Sequence, residues 1–228
     1  MKNTRFATGL SVLVLATSSL QGASLLDYDS AIAGSDFVSR TTAVSSALDG
    51  SNSVAFDFGA ISGDATFEFI VSGDPAAGGR DGYLAVGENA GNSLRYEQWD
   101  DTGQLGFTTA GVADNTFTAA GAASPTADTH LAYRWTDATG TMDLLINGVP
   151  TDSIAGAAFA MPTGAGSLGN NAAISEGMVG TISRVTTFDS ALSNGVIASH
   201  SAAWTGVPEP SSIALAGLAG LALLRRRR

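Results

Sequence analysis

In one short segment after another, the apolar residues of this chain recur at every second position. In "SVAFDFG", Val54, Phe56 and Phe58 fall on one face while Ala55 and Asp57 fall on the other; in "ATFEFIVSGD", Phe67, Phe69 and Val71 oppose Glu68. A period of two marks a strand with one buried face. Turn chemistry parts the segments that follow. "AAGGRDG" precedes "YLAVG", "DDTG" separates "SLRYEQW" from "QLGFTTAG", and "ATGT" joins "HLAYRWTD" to "MDLLING". Asn147-Gly148 is the strongest two-residue hairpin signal, because both positions adopt φ > 0. No stretch carries a sustained helical stripe. Residues 25–206 therefore read as about ten to fourteen short strands, the pattern of an all-β sandwich. "SALSNGVIASH", from Ser190 to His200, is expected to form one short helix or turn with Leu192, Val196 and Ile197 inward.

Composition narrows what such a sandwich can do. The chain has no cysteine, which removes disulfide staples, thiolate catalysis and cysteine metal sites. Its formal charge of −10 is unevenly spread: Lys2, Arg5 and Arg225 to Arg228 lie at the ends, leaving five arginines in the body against twenty acids. A body near −15 repels phosphate backbones, which disfavours nucleic acid as a partner. It suits a soluble exported protein or one that holds divalent cations.

The two ends read as addresses. "MKNTRFATGLSVLVLATSSLQGAS" begins with Lys2 and Arg5, runs apolar from Phe6 to Leu20, and closes on Gly22, Ala23 and Ser24. That is the layout of a secretory signal peptide over residues 1–23, handled by Sec-type export machinery and removed near residues 22–24. At the other end stands "VPEPSSIALAGLAGLALLRRRR". Pro208 and Pro210 fix φ and hold Val207 and Glu209 extended. Ser211 to Leu224 would make a helix of about 21 Å, short of the roughly 30 Å hydrocarbon thickness. Arg225, Arg226, Arg227 and Arg228 would keep the terminus cytoplasmic and orient the segment. Such a helix holds a protein at an inner membrane only marginally.

This order of features resembles the PEP-CTERM sorting signal. The resemblance implies that Val207, Pro208, Glu209 and Pro210 form the recognition element for an exosortase-like processing enzyme. It also implies that the product, after transient inner-membrane anchoring over residues 207–228, reaches the cell surface or extracellular matrix of a bacterium that makes exopolysaccharide. Within residues 24–206, a strand closes on Asn147-Gly148 and a second element carries Leu168-Gly169. A third carries Gly180, Ile182, Val185, Phe188, Ala191 and Leu192. That set resembles the LamG-like, concanavalin A-like jelly roll, and it implies that fold for the domain.

The search for chemistry yields little. Paired carboxylates for glycoside cleavage need acids facing one cleft about 5–9.5 Å apart. Here Glu68 stands between two phenylalanines, Glu97 pairs most simply with a neighbouring arginine, and Glu176 lies in a Gly-rich loop. Only His130 and His200 exist. His130 opens a strand and is expected to pack or bond across strands, and His200 is expected at the surface. No Gly-x-Ser-x-Gly elbow occurs, and two separated histidines disfavour zinc. Asp74, Asp81, Asp100 and Asp101 are loop acids that could hold calcium at the sandwich rim, although aspartate is also a common turn residue. Trp99, beside Asp100, and Trp135 could stack on a sugar ring or simply pack. The expected function is a non-catalytic surface or matrix protein that binds glycan or exopolysaccharide, or builds the matrix, without a required cofactor. The alternative is a polysaccharide-cleaving enzyme of the same fold.

Overall fold

The structure, a computed structural model, describes residues 25, 27–41, 46–75, 82–87, 92–98, 102–160, 162–170 and 177–205. The leader, the tail from 206 onward, Asp81, Trp99, Asp100, Asp101 and Glu176 lie outside the described residues.

Two antiparallel sheets face each other. The first contains β1 (Ser39–Thr41), β2 (Ser46–Asp49), β4 (Ala65–Gly73), β9 (Thr129–Thr136), β10 (Thr141–Ile146), β11 (Val149–Ile154) and β13 (Val179–Phe188). Its order is β1-β13-β4-β9-β10-β11, with β2 also paired to β13. The second contains β3 (Val54–Asp57), β5 (Gly82–Val86), β6 (Ser93–Glu97), β7 (Gly106–Thr109), β8 (Ala113–Thr116) and β12 (Ala165–Leu168), in the order β3-β12-β5-β6-β7-β8. This is the expected β-sandwich jelly roll. The expected Asn147-Gly148 turn joins β10 to β11, with φ of 50° and 76°.

The period-two residues meet between the sheets. Phe56, Phe58, Phe67, Phe69, Val71, Phe107, Phe117 and Tyr133 belong to one buried cluster. Its rings meet edge to face, as with Phe56 and Phe58 at 4.8 Å and 84°, and Phe69 and Tyr133 at 6.3 Å and 88°. The positive ring edge against the negative ring face adds to the gain from apolar burial. Gly180 on β13 has φ of 153°, and a Cβ there would lie 2.2 Å from the Ser72 carbonyl oxygen. Only glycine permits so close an approach between these strands.

Three expectations are corrected. Residues 27–33 form a helix, α1, where strands were expected from residue 25 onward. The second helix, α2 (Asn194–Thr205), begins and ends later than the expected span of 190–200. Ser193 explains the start, because its hydroxyl and carbonyl both accept from the Val196 amide and so cap the first turn. The shift in register turns Val196 outward, 38% exposed, while Ile197 packs on Ala132 and Leu145 as expected.

Both helices lie on the outer face of the seven-stranded sheet. Tyr28 and Ile32 of α1 and Trp204 of α2 share a cluster with Ile70 and Phe188, flanked by Leu25 and Leu192. Gly148 lets α2 cross the β10–β11 hairpin, since a Cβ there would come within 2.8 Å of the Ala198 Cα. Among the described residues no helix is long and apolar enough to cross a membrane.

Candidate functional site

Alternation on β4 sends Phe67 and Phe69 inward and Thr66, Glu68 and Ile70 outward, beneath the helices. Thr66 ties the entry to α2, since its hydroxyl donates to the Ser190 carbonyl at 2.8 Å and accepts from the Leu192 amide at 3.0 Å. Glu68, with no exposure, is the polar centre of this layer. Tyr28 Oη donates to Glu68 Oε2 at 3.1 Å, and His200 Nδ1 lies 3.0 Å from Oε1. His130 Nε2 approaches Oε2 at 3.4 Å, an electrostatic contact, but among the described residues neither ring nitrogen of His130 finds a hydrogen-bond partner. Its ring meets that of Tyr28 edge-on at 5.8 Å, and Phe188 stacks on His200 at 5.9 Å.

Burial alone would raise the Glu68 pKa, but the two imidazoles outweigh it and hold the carboxyl down to about 2. Burial and the adjacent carboxylate push the Tyr28 phenol well above its usual range, which keeps its proton available for donation. The expectation of a surface His200 is thus overturned. The helix that brings His200 onto the sheet begins 126 positions after Glu68 in the chain, so no local pattern connects the two.

Ser35 Oγ lies 3.1 Å from His200 Nε2, so Ser35, His200 and Glu68 have the connectivity of a nucleophilic triad. The surroundings are unsuited to that chemistry. The Ser35 hydroxyl donates to the Ala31 carbonyl at 3.4 Å, the Ser35 amide to the Ile32 carbonyl and the Phe37 amide to the Ser35 carbonyl. These amides are spent on neighbouring carbonyls and are not aimed at a developing oxyanion. The cluster fastens helices to a sheet.

The outward face of the six-stranded sheet is different. Leu94 and Tyr96 of β6 point into the core, so Ser93, Arg95 and Glu97 point outward, and the register pairs Arg95 with Tyr83, Ser93 with Thr108 and Thr108 with Asp114. The Arg95 guanidinium stands 3.7 Å above the Tyr83 ring, a cation–π contact. Gln98 Nε2 donates to Thr108 Oγ1 at 3.1 Å, and Thr108 Oγ1 donates to Asp114 Oδ1 at 2.7 Å. Ser93, Arg95, Glu97 and Gln98 are buried; the row reaches solvent at Asp114. There Thr108, Thr109, Val112 and Asp114 line a hollow of about 250 Å³, with Val112 65% exposed. Sequence reasoning missed this hollow. Its only trace is a hairpin, "TTAGVAD", that keeps an apolar residue at its tip.

Of the predicted rim residues, only Asp74 is described. It is exposed, its amide donates to the Val179 carbonyl at 2.9 Å, and its charge adds to burial in raising the Tyr96 phenol. Gly82, which follows Asp81, packs against Met178 and Glu97. Glu97 Oε1 accepts from the Gly103 amide at 3.0 Å and from the Thr102 hydroxyl at 3.2 Å. Trp135 is buried in the core, with its ring 5.5 Å from that of Phe159, so it is a packing residue. The buried glutamates, Glu68 and Glu97, sit on outer faces of different sheets with the core between them. Among the described residues no group of three or more His, Cys, Asp or Glu is placed to hold a metal ion.

Comparison with known proteins agrees with this architecture. Residues 206–228 match the PEP-CTERM protein-sorting motif. No curated protein matches the chain. Among solved structures it is similar to domain 4 of AbnA, an extracellular arabinanase from Geobacillus stearothermophilus solved with arabinotriose. The TM-score is 0.54 at 14% identity, over 73% of this chain and 82% of that one. It is also similar to the CBM40 of a Ruminococcus gnavus sialidase bound to α2,3-sialyllactose, with TM-score 0.52 and 16% identity, over 72% of this chain and 98% of that one. A third similar structure is the NanB sialidase of Streptococcus pneumoniae, with TM-score 0.51 and 15% identity, over 72% of this chain but 28% of that one. At these identities the likeness establishes the sandwich fold. The chain therefore carries a PEP-CTERM sorting motif, the mark of an exported protein processed by an exosortase, behind a concanavalin A-like β-sandwich.

Proposed function

We propose that this protein is a non-catalytic glycan-binding component of a bacterial cell surface or extracellular matrix, exported through Sec-type machinery and released from the inner membrane when its tail is cut. The observation that carries this reading is the polar outward row of the six-stranded sheet, which ends in the hollow beside Val112 and Asp114. A carboxylate, a hydroxyl and an exposed apolar side chain match the two characters of a sugar ring: hydroxyl groups at its rim and C–H groups on its face. The opposite outer face is occupied by α1 and α2. The sorting motif and the sugar complexes formed by two similar sandwiches support the same ligand class.

On a glycan array, the secreted protein is expected to be retained by exopolysaccharide-type sugars, and Asp114→Ala should cut retention at least tenfold. Retention unchanged by that substitution would remove the hollow as the site. Strong self-association without sugar retention would instead assign a matrix-building role. A chelator in the same experiment tests calcium. Retention lost on chelation would support a calcium-dependent rim site, and indifference would remove it.

A further inference from the structure

Residues near the two described ends of the chain meet at one buried carboxylate. Tyr28 of α1 and His200 of α2 both bond Glu68, and Ser35, just after α1, bonds the far nitrogen of the same imidazole. Leu25, Tyr28, Ile32 and Trp204 share one apolar cluster. Asp29 anchors α1 further, with Oδ1 and Oδ2 2.8 and 2.9 Å from the Arg184 guanidinium and its carbonyl bonded by Arg40. Trp204 lies two residues before the sorting motif begins, and Leu25 lies two residues past the expected leader.

We infer that α1 and α2 form one cooperative latch, through which docking of the segment behind the leader sets the stability of the helix that presents the sorting motif. An isolated helix of twelve residues is marginal in water, and α2 contains Asn194, Gly195 and Thr205, which are poor helix formers. Its order therefore comes from packing. Undocking α1 strips His200 of Ser35, strips Glu68 of the Tyr28 donor and uncovers Trp204. Leader removal would free residues 25–35 to dock, which orders maturation: leader first, then α1, then a rigid α2 that confines cleavage to the motif. The inference rests on the sorting motif and on the expected leader, and is independent of glycan binding.

Hydrogen exchange on protein purified from its producing cells tests it. Tyr28→Ala should raise amide exchange over residues 194–205 at least tenfold while β4 and β9 stay protected. Exchange in α2 equal to wild type, with α1 alone loosened, would overturn the inference. Should Tyr28→Ala loosen the strands as well, Ser35→Ala decides, because it removes the Ser35–His200 bond between the α1 segment and α2 and otherwise only the local bond to the Ala31 carbonyl. A rise of about threefold around His200 supports the latch, and no change refutes it. Mass analysis of the secreted chains reads the consequence. Tyr28→Ala should yield ragged C-termini upstream of residue 206, and a single wild-type terminus would contradict the link to maturation.

Discussion

Glu68→Ala is expected to lower stability by about 3–5 kcal/mol, because it leaves two imidazoles and a phenol facing an emptied, dry site. For a domain of this size that corresponds to a melting temperature lower by roughly 10 °C or more. The milder Glu68→Gln isolates the charge. In the folded protein the carboxyl titrates at about 2, against an ordinary value of 4.5. A depressed carboxyl contributes stability that is fully present above the unfolded-state pKa and is lost as pH falls through the folded one. The wild type should therefore lose roughly 3 kcal/mol between about pH 5 and pH 2, and Glu68→Gln should lack that component. Denaturant titrations across this range check it. A Gln variant that matches the wild type at pH 7 and follows the same acid profile would show that Glu68 does not hold the helices.

Replacing Pro208-Glu209-Pro210 by three alanines should abolish conversion of the precursor in the producing cells, leaving a species that retains Arg225 to Arg228. Proline fixes φ and disfavours a helical residue before it, whereas alanine favours helix in a sequence that leads into good helix formers. Recognition then loses both its shape and its carboxylate. Immunoblots of cell and medium fractions measure the outcome, and maturation at the wild-type rate would defeat the assignment of these residues.

The inter-sheet core was legible because the sheet pleat repeats every two residues. Phe56 and Phe58, and Phe67, Phe69 and Val71, all sit where that rhythm puts them. The Asn147-Gly148 turn and the close approach at Gly180 were legible because each requires a backbone angle that few residues tolerate. The Glu68 cluster was not. Alternation says that Glu68 leaves the core, but not whether water or a helix awaits it. Here α1 covers it, through Tyr28 and Ile32 spaced four apart over barely two turns, a pattern too short to stand out among strands. His200 and Trp204 were missed because the helix that carries them is held by contacts distant in sequence and not by its own propensity. On the other sheet, Thr108 and Asp114 look like ordinary hairpin residues until the strand register sets them side by side.

The most direct measurement is the intact mass of the protein recovered outside its producing cells. An exported sandwich shed of both ends should appear in the medium or matrix, begin near residues 23–25 and terminate at the motif, without Arg225 to Arg228. A chain of all 228 residues confined to the cytosol would contradict the account.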